Sequence, residues 1–215
     1  PARLLSGVAV VTGGAFLLTV LAIAGIERRV TATRAPDPMP FMDGIREIWA
    51  ERRTRNFTIF VFVSMNAYFM QELILEPFAG LVWDFTPGQS TTLSGAQNGG
   101  VFVGMLVVGI MATAFKLGAL RTWVVGGCIG SALSLLAIAS LSVPLLPAVV
   151  ALGFFNGMFA VAAIGSMMAL ASEGRDRREG TRMGLWGAAQ AIAAGVGGLA
   201  GAAAVDALRA TMATD

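Results

Sequence analysis

The stretch FTIFVFVSMNAYFMQELILEPFAGLV, residues 57–82, decides the fold. A helix needs about 20 residues to cross about 30 Å of hydrocarbon, and this run supplies them without a Lys or Arg. Five more apolar runs of that length stand around it: Leu4–Ile26, Ser94–Phe115, Thr122–Ser142, Ala148–Ser172 and Met183–Val205. Six spans predict an all-α fold, a polytopic transmembrane helical bundle. Composition agrees. The 215 residues are 56% hydrophobic and 13% charged, against about 25% charged in a soluble domain, and mean hydropathy is +0.74. A disordered chain, a disulfide scaffold and almost any soluble enzyme are excluded on these grounds.

The residue inventory removes further classes. The chain has no histidine, hence neither the commonest general base nor the commonest metal ligand. Cys128 is the single cysteine, so no disulfide or thiolate cluster forms within the chain. No phosphate-binding loop, dinucleotide fingerprint, zinc spacing or nucleophile elbow is present. No metal site and no catalytic residue are expected, and an enzyme is not.

The loops set the orientation. Residues 27–56, 116–121 and 173–182 hold 7, 2 and 4 Lys and Arg, whereas Arg3 and Arg209 are the only two on the other side. The positive-inside rule places those three loops in the cytoplasm. Arg175–Arg182, interleaved with Glu173, Asp176 and Glu179, reads as a solvated loop near anionic headgroups rather than a nucleic-acid patch. Residues 83–93, with Asp84 and no Lys or Arg, form the opposite loop. Within the long loop, Phe41, Ile45, Ile48 and Trp49 recur at helical spacing among Arg46, Glu47, Glu51, Arg53 and Arg55. That pattern predicts an amphipathic helix on the cytoplasmic membrane surface, the alternative being a helix packed on the bundle. In transporters built from two six-helix halves the longest cytoplasmic loop joins the halves. The expected organisation follows: 1–26 the last span of an N-terminal half, 27–56 the inter-half loop, 57–215 a C-terminal half lacking its final span. On this reading the visible spans are six to eleven of twelve in a major-facilitator-like bundle.

Small residues recur at GxxxG spacing: Gly100 and Gly104, Gly126 and Gly130, Gly153 and Gly157, Gly197 and Gly201. Such faces let helices touch backbone to backbone, and packing is their first meaning. Glu72 and Glu76 are the acids inside a span, four residues apart and so on one face, extended by Met65 and Phe69. At 1.5 Å per residue they lie about 24 and about 30 Å along from Asn56, in the outer half. A carboxylate in hydrocarbon costs about 2.5–3.5 kcal/mol, so it faces a cavity, a partner or the interface. Pro77 is expected to break or kink the helix just beyond them. The neutral polar residues Asn66, Gln71, Gln97, Asn98, Asn156 and Gln190 each need a partner in the membrane. Gln71, Asn98 and Gln190 are the candidates for ligand contact, with interhelical bonding as the default.

Three stretches carry a family resemblance: Met70–Gly80 (MQELILEPFAG), Phe85–Thr91 (FTPGQST) with Gly99–Phe102, and Arg182–Ala191 (RMGLWGAAQA); the run Ala162–Met168 fits too. The chain resembles the PucC/LhaA, or bacteriochlorophyll delivery, family of the major facilitator superfamily, and Phe85–Thr91 is nearer to its PucC branch. The resemblance implies a twelve-span fold and a membrane assembly factor for bacterial light-harvesting complexes. It implies bacteriochlorophyll as cargo or contact, antenna polypeptides or the photosynthetic complex as partners alongside membrane lipids, and residence in a bacterial inner, intracytoplasmic photosynthetic membrane. Glu72, Glu76, Gln71, Phe69, Asn98, Gln190 and Trp186 are then the candidates for contact with pigment or partner. The alternative is a proton-coupled small-molecule transporter with Glu72 as its protonatable group. Against it, Lys116–Arg121 lacks the acid that the superfamily's cytoplasmic signature carries, and no basic residue lies within the spans to bind an anion.

Overall fold

A computed structural model describes residues 2–24, 41–172 and 179–212 of the chain. Every element among them is helical: α1 (Ala2–Ile23), α2 (Phe41–Ala50), α3 (Arg52–Trp83), α4 (Pro87–Thr113), α5 (Leu120–Ala139), α6 (Leu145–Ser172) and α7 (Glu179–Met212). Six of them, all but α2, are long and apolar enough to cross a membrane, as the sequence predicts, and the protein is a multi-pass membrane protein. The chain divides into two units, residues 1–38 and 39–215. The first contains α1, a continuous apolar helix. The second contains α2–α7, so the amphipathic segment α2 belongs with the bundle that follows it.

Helix ends follow local chemistry. The sequence puts residues 83–93 in a loop, but α4 begins at Pro87. The reason is a capping box, which sequence spacing alone can show: Thr86, Pro87 at the first helical position and Gln89. The Thr86 backbone N–H donates to Gln89 Oε1 at 2.9 Å and its hydroxyl donates to the same oxygen at 3.0 Å. Asp84 closes α3 in the left-handed region at φ 52°, which Asp tolerates better than most residues. Three residues therefore suffice to reverse the chain. Pro77 does not end α3, which runs through it to Trp83. Residues 173–178 lie outside the described part, whereas Arg182, expected in a solvated loop, is inside α7 and buried.

Lipid is as apolar as leucine, so bilayer helices associate through close packing and hydrogen bonds rather than through a hydrophobic drive. The glycines supply the packing. α4 lies parallel to α6 with glycines on both. A methyl at Gly100 would fall on the Val150 carbonyl, at Gly104 on that of Phe154, at Gly153 on that of Gln97, and at Gly157 on that of Val101. α7 lies parallel to α3, where a methyl at Gly197 would sit 2.7 Å from the Asn66 carbonyl oxygen. α5 runs antiparallel to α6, with Gly127 and Gly130 against Phe155 and Phe159. The tight pair on α5 is thus Gly127 and Gly130; Gly126 meets only the Met158 methyl at van der Waals distance. Thr58 and Ser134 bond their own helices, at the Thr54 carbonyl (2.9 Å) and the Gly130 carbonyl (2.9 Å), whereas the Ser131 hydroxyl of α5 donates to Asn156 Oδ1 of α6 at 2.8 Å. α6 is the central helix, buried along most of its length.

The end of the bundle where α3 and α7 start is closed by a polar clamp. The Arg182 guanidinium donates to Glu51 Oε2 at 2.6 Å and to the Leu170 carbonyl at 3.0 Å, while the Thr54 hydroxyl donates to Glu51 at 3.0 Å. α2, just before Glu51, buries Ile48, half-buries Ile45 and leaves Trp49 42% exposed. The apolar stripe is thus divided, with Ile48 buried against the bundle and Trp49 exposed. The Phe41 side chain lies outside the described part.

Candidate functional site

Glu72 and Glu76 open into a cleft of about 560 Å³ between α3, α7 and the start of α4. Phe69, Leu73 and Pro77 line it from α3, Ala194 and Gly198 from α7, Phe85 from the α3–α4 turn, and Pro87 and Ser90 from the first turn of α4. Both carboxylates are exposed there. The cleft has a cause in the packing. α7 meets α3 through Gly197 and Gly201, as α4 meets α6 through Gly100 and Gly104. The glycine Cβ positions face the same backbone atoms in both contacts: the Val150 carbonyl and Phe154 N–H on α6, the Asn66 carbonyl and Met70 N–H on α3. On α6 the answering positions are Gly153 and Gly157. Three residues past Asn66 and Met70, the same offset on α3 finds Phe69 and Leu73. Side chains stand where glycines close the other pair. A methyl at Gly201 would reach the Met70 carbonyl only at 3.4 Å and meets Leu73 at 3.5 Å. The helices touch at Gly197 and part by Gly201, and the acids stand at the opening beyond.

The site so built combines an apolar wall, two aromatic rings and two acceptor-only groups if the acids are ionised. It can hold an apolar molecule by its faces and a donor or a hard cation by its oxygens. The structure brings Phe69, Glu72 and Glu76 together, as their common face predicts. It sends the other candidates elsewhere. Gln71 points between α3 and α5, where its Nε2 is buried without a hydrogen-bond partner. Asn98 is exposed and donates to the Ser94 carbonyl of its own helix at 3.0 Å. Gln190 is half-buried, its Nε2 3.8 Å from the Met167 sulfur. Trp186 is enclosed at 1% exposure. Its indole N–H donates to the Thr58 hydroxyl at 3.1 Å and its ring meets Phe57 edge-on at 5.1 Å. Trp186 thus plugs the α3–α7 contact near the clamp and lines no groove. Sequence reading missed Phe85, Pro87 and Ser90 as lining residues because it placed them in a loop; the capping box is the signal that recovers them. Among the described residues no group of three or more acidic or Cys side chains is arranged to hold a metal.

Comparison with known proteins gives the family. The family model described as PUCC protein matches residues 1–215. The chain is 62% identical over 214 residues to a protein of Rhodobacter capsulatus named bacteriochlorophyll synthase 44.5 kDa chain, covering 97% of this chain and 50% of that one. It is 31% identical over 202 residues to protein PucC of Cereibacter sphaeroides, covering 90% and 42%. It is 29% identical over 198 residues to a protein of Rhodobacter capsulatus described as uncharacterized, in the puhA-bchM intergenic region, covering 88% and 40%. The chain spans half or less of the length of these relatives. No solved structure matches it.

Proposed function

This chain belongs to the PUCC family, and we propose that it is part of a membrane assembly factor for bacterial light-harvesting complexes, holding bacteriochlorophyll or antenna polypeptides in the bilayer without catalysing a reaction. The observation that carries the reading is the wedged α3–α7 cleft, in which Glu72 and Glu76 stand beside Phe69 and Phe85 within an otherwise apolar exterior. A tetrapyrrole is a flat apolar body around a magnesium ion. Aromatic walls suit its faces, and a carboxylate or the Ser90 hydroxyl is a hard oxygen donor suited to magnesium. An antenna helix would use the same apolar wall, with the acids accepting its terminal N–H groups. The name of the Rhodobacter capsulatus relative, which mentions bacteriochlorophyll, supports the pigment side of the proposal. The membrane is the intracytoplasmic photosynthetic membrane, and loops 27–56, 116–121 and 173–182 face the cytoplasm.

Glu72 gives the test. Glu72→Gln keeps an acceptor oxygen and the shape, whereas Glu72→Ala removes both. At matched protein level, antenna yield is expected to fall with Ala and to hold with Gln. Equal loss with both points instead to proton-coupled transport. Wild-type yield with Ala removes Glu72 from the function. The absorption spectrum of the purified protein tests cargo independently, through a bacteriochlorophyll band that weakens in Glu72→Ala.

A further inference from the structure

Among the described residues, two buried side-chain atoms have no hydrogen-bond partner: Gln71 Nε2 and Asn156 Nδ2. They come from different helices, α3 and α6, yet both residues line one pocket of about 180 Å³ between α3, α5 and α6. Neighbouring groups explain why these two nitrogens are left over. The Ser131 hydroxyl of α5 donates to Asn156 Oδ1 at 2.8 Å, which occupies the oxygen of that amide and leaves its nitrogen. The Ser64 hydroxyl, also in the pocket wall, turns back to the Phe60 carbonyl of its own helix at 2.7 Å. Asn156 is 6% exposed, and a buried amide donor without an acceptor is costly inside a membrane.

The pocket continues beyond its polar floor. Ala67, Gln71 and Leu135 also line a groove of about 340 Å³ along α3 and α5, walled by Met70, Ile74 and Phe78. Apart from Gln71 that wall is apolar. Apolar cavities stay dry, whereas polar ones take water or another polar group. A polar end joined to an apolar channel therefore fits one elongated molecule better than a water cluster. No Lys, Arg, Asp or Glu lines either space, so the occupant is uncharged. Both unmet groups are donors, so its polar end accepts. A carbonyl oxygen has two lone pairs and answers both donors without bringing a proton of its own.

We propose that the pocket between α3, α5 and α6 binds the carbonyl end of an uncharged, chain-shaped lipophile. Gln71 Nε2 and Asn156 Nδ2 donate to its oxygen, and the chain runs out between α3 and α5. The site shares no lining residue with the acid cleft, and the inference does not rest on the cargo proposed for that cleft. An ester and a ketone both supply the required chemistry. The test uses the complete polypeptide in dodecyl maltoside, a detergent without a carbonyl, photolabelled by a long-chain methyl ester that carries a diazirine. Labelling is expected on α3 and α5 beside the groove. An unlabelled long-chain methyl ester and methyl ketone should compete, the stronger of them naming the source, whereas the matching carboxylate and hydrocarbon should not. Gln71→Met and Asn156→Leu keep apolar bulk and remove one donor each. Either should weaken labelling about 2- to 10-fold, the contribution of one hydrogen bond, at an unchanged melting temperature. Should Asn156→Leu lower the melting temperature by losing its bond to Ser131, Gln71→Met decides alone. Equal competition by the hydrocarbon, or undiminished labelling of Gln71→Met, would mean an apolar groove without a carbonyl site and overturn the proposal. Absence of labelling on these helices would overturn it too.

Discussion

The α4–α6 and α3–α7 contacts are the same docking carried out with different residues. Both are parallel, and both set a glycine pair on one helix against equivalent carbonyls of the other. Glycines also answer from the second helix in α4–α6, and the backbones touch. In α3–α7, Phe69 and Leu73 answer instead, and a cleft with two carboxylates opens. Two side chains thus turn a closed seam into an open cleft without altering the topology. What holds the wedged pair is the Trp186 plug and the Arg182–Glu51 clamp at its other end.

The largest expected effect tests that plug. Trp186→Ala removes a fully buried side chain, and losses of about 3–5 kcal/mol attend such truncations; the melting temperature in detergent should fall accordingly. A loss smaller than that of a glycine change in α4–α6 would mean that the wedged pair is held elsewhere. Next comes the seam itself. Gly104→Ala drives a methyl into the Phe154 carbonyl, and overpacking of this kind costs about 1–3 kcal/mol. Gly198→Ala, which meets nothing within 4 Å, should cost no stability in the same assay and gain up to about 1 kcal/mol from helix propensity, and a loss equal to that of Gly104→Ala would abolish the contrast. Leu73→Gly sharpens it by removing a wedge, at a helix-propensity cost of about 1 kcal/mol. Spin labels on the outer faces of α3 and α7 should then report a shorter distance, and an unchanged one would refute the wedge. The smallest effect, on stability none, is topological. Cysteines at Thr33 and Thr91 should label from opposite sides of the membrane, and labelling from one side would invert the cleft relative to the basic loops.

Span number, the glycine seams and the shared face of Glu72 and Glu76 were legible in the sequence, because length, small-residue spacing and helical period each depend on one segment at a time. What was not legible depends on neighbours. Whether Gly201 closes a contact or overlooks a cleft is set by Leu73, some 130 residues away. Arg182 looked solvated among Arg and Glu, but its helix starts at Glu179 and carries it onto Glu51 and the Leu170 carbonyl. Trp186 and Gln71 were read as alike in availability, yet one is enclosed and bonded while the other keeps an unpartnered nitrogen. Polarity alone cannot separate the two.

The three-residue reversal at Asp84–Thr86 bears on how the protein reaches the bilayer. Nascent helices enter lipid singly when apolar enough, and α6 is uninterrupted by charge from Leu145 to Ser172. α3 carries Glu72 and Glu76 in its trailing part, in the outer half of the span, where a carboxylate costs less than the about 2.5–3.5 kcal/mol of one at mid-depth but still opposes entry. A link held by a left-handed Asp and a capping box leaves no slack for α3 to wait outside while α4 follows. The two arms are therefore expected to enter the bilayer as one helical hairpin, the apolar length of α4 helping to carry the acids of α3 across.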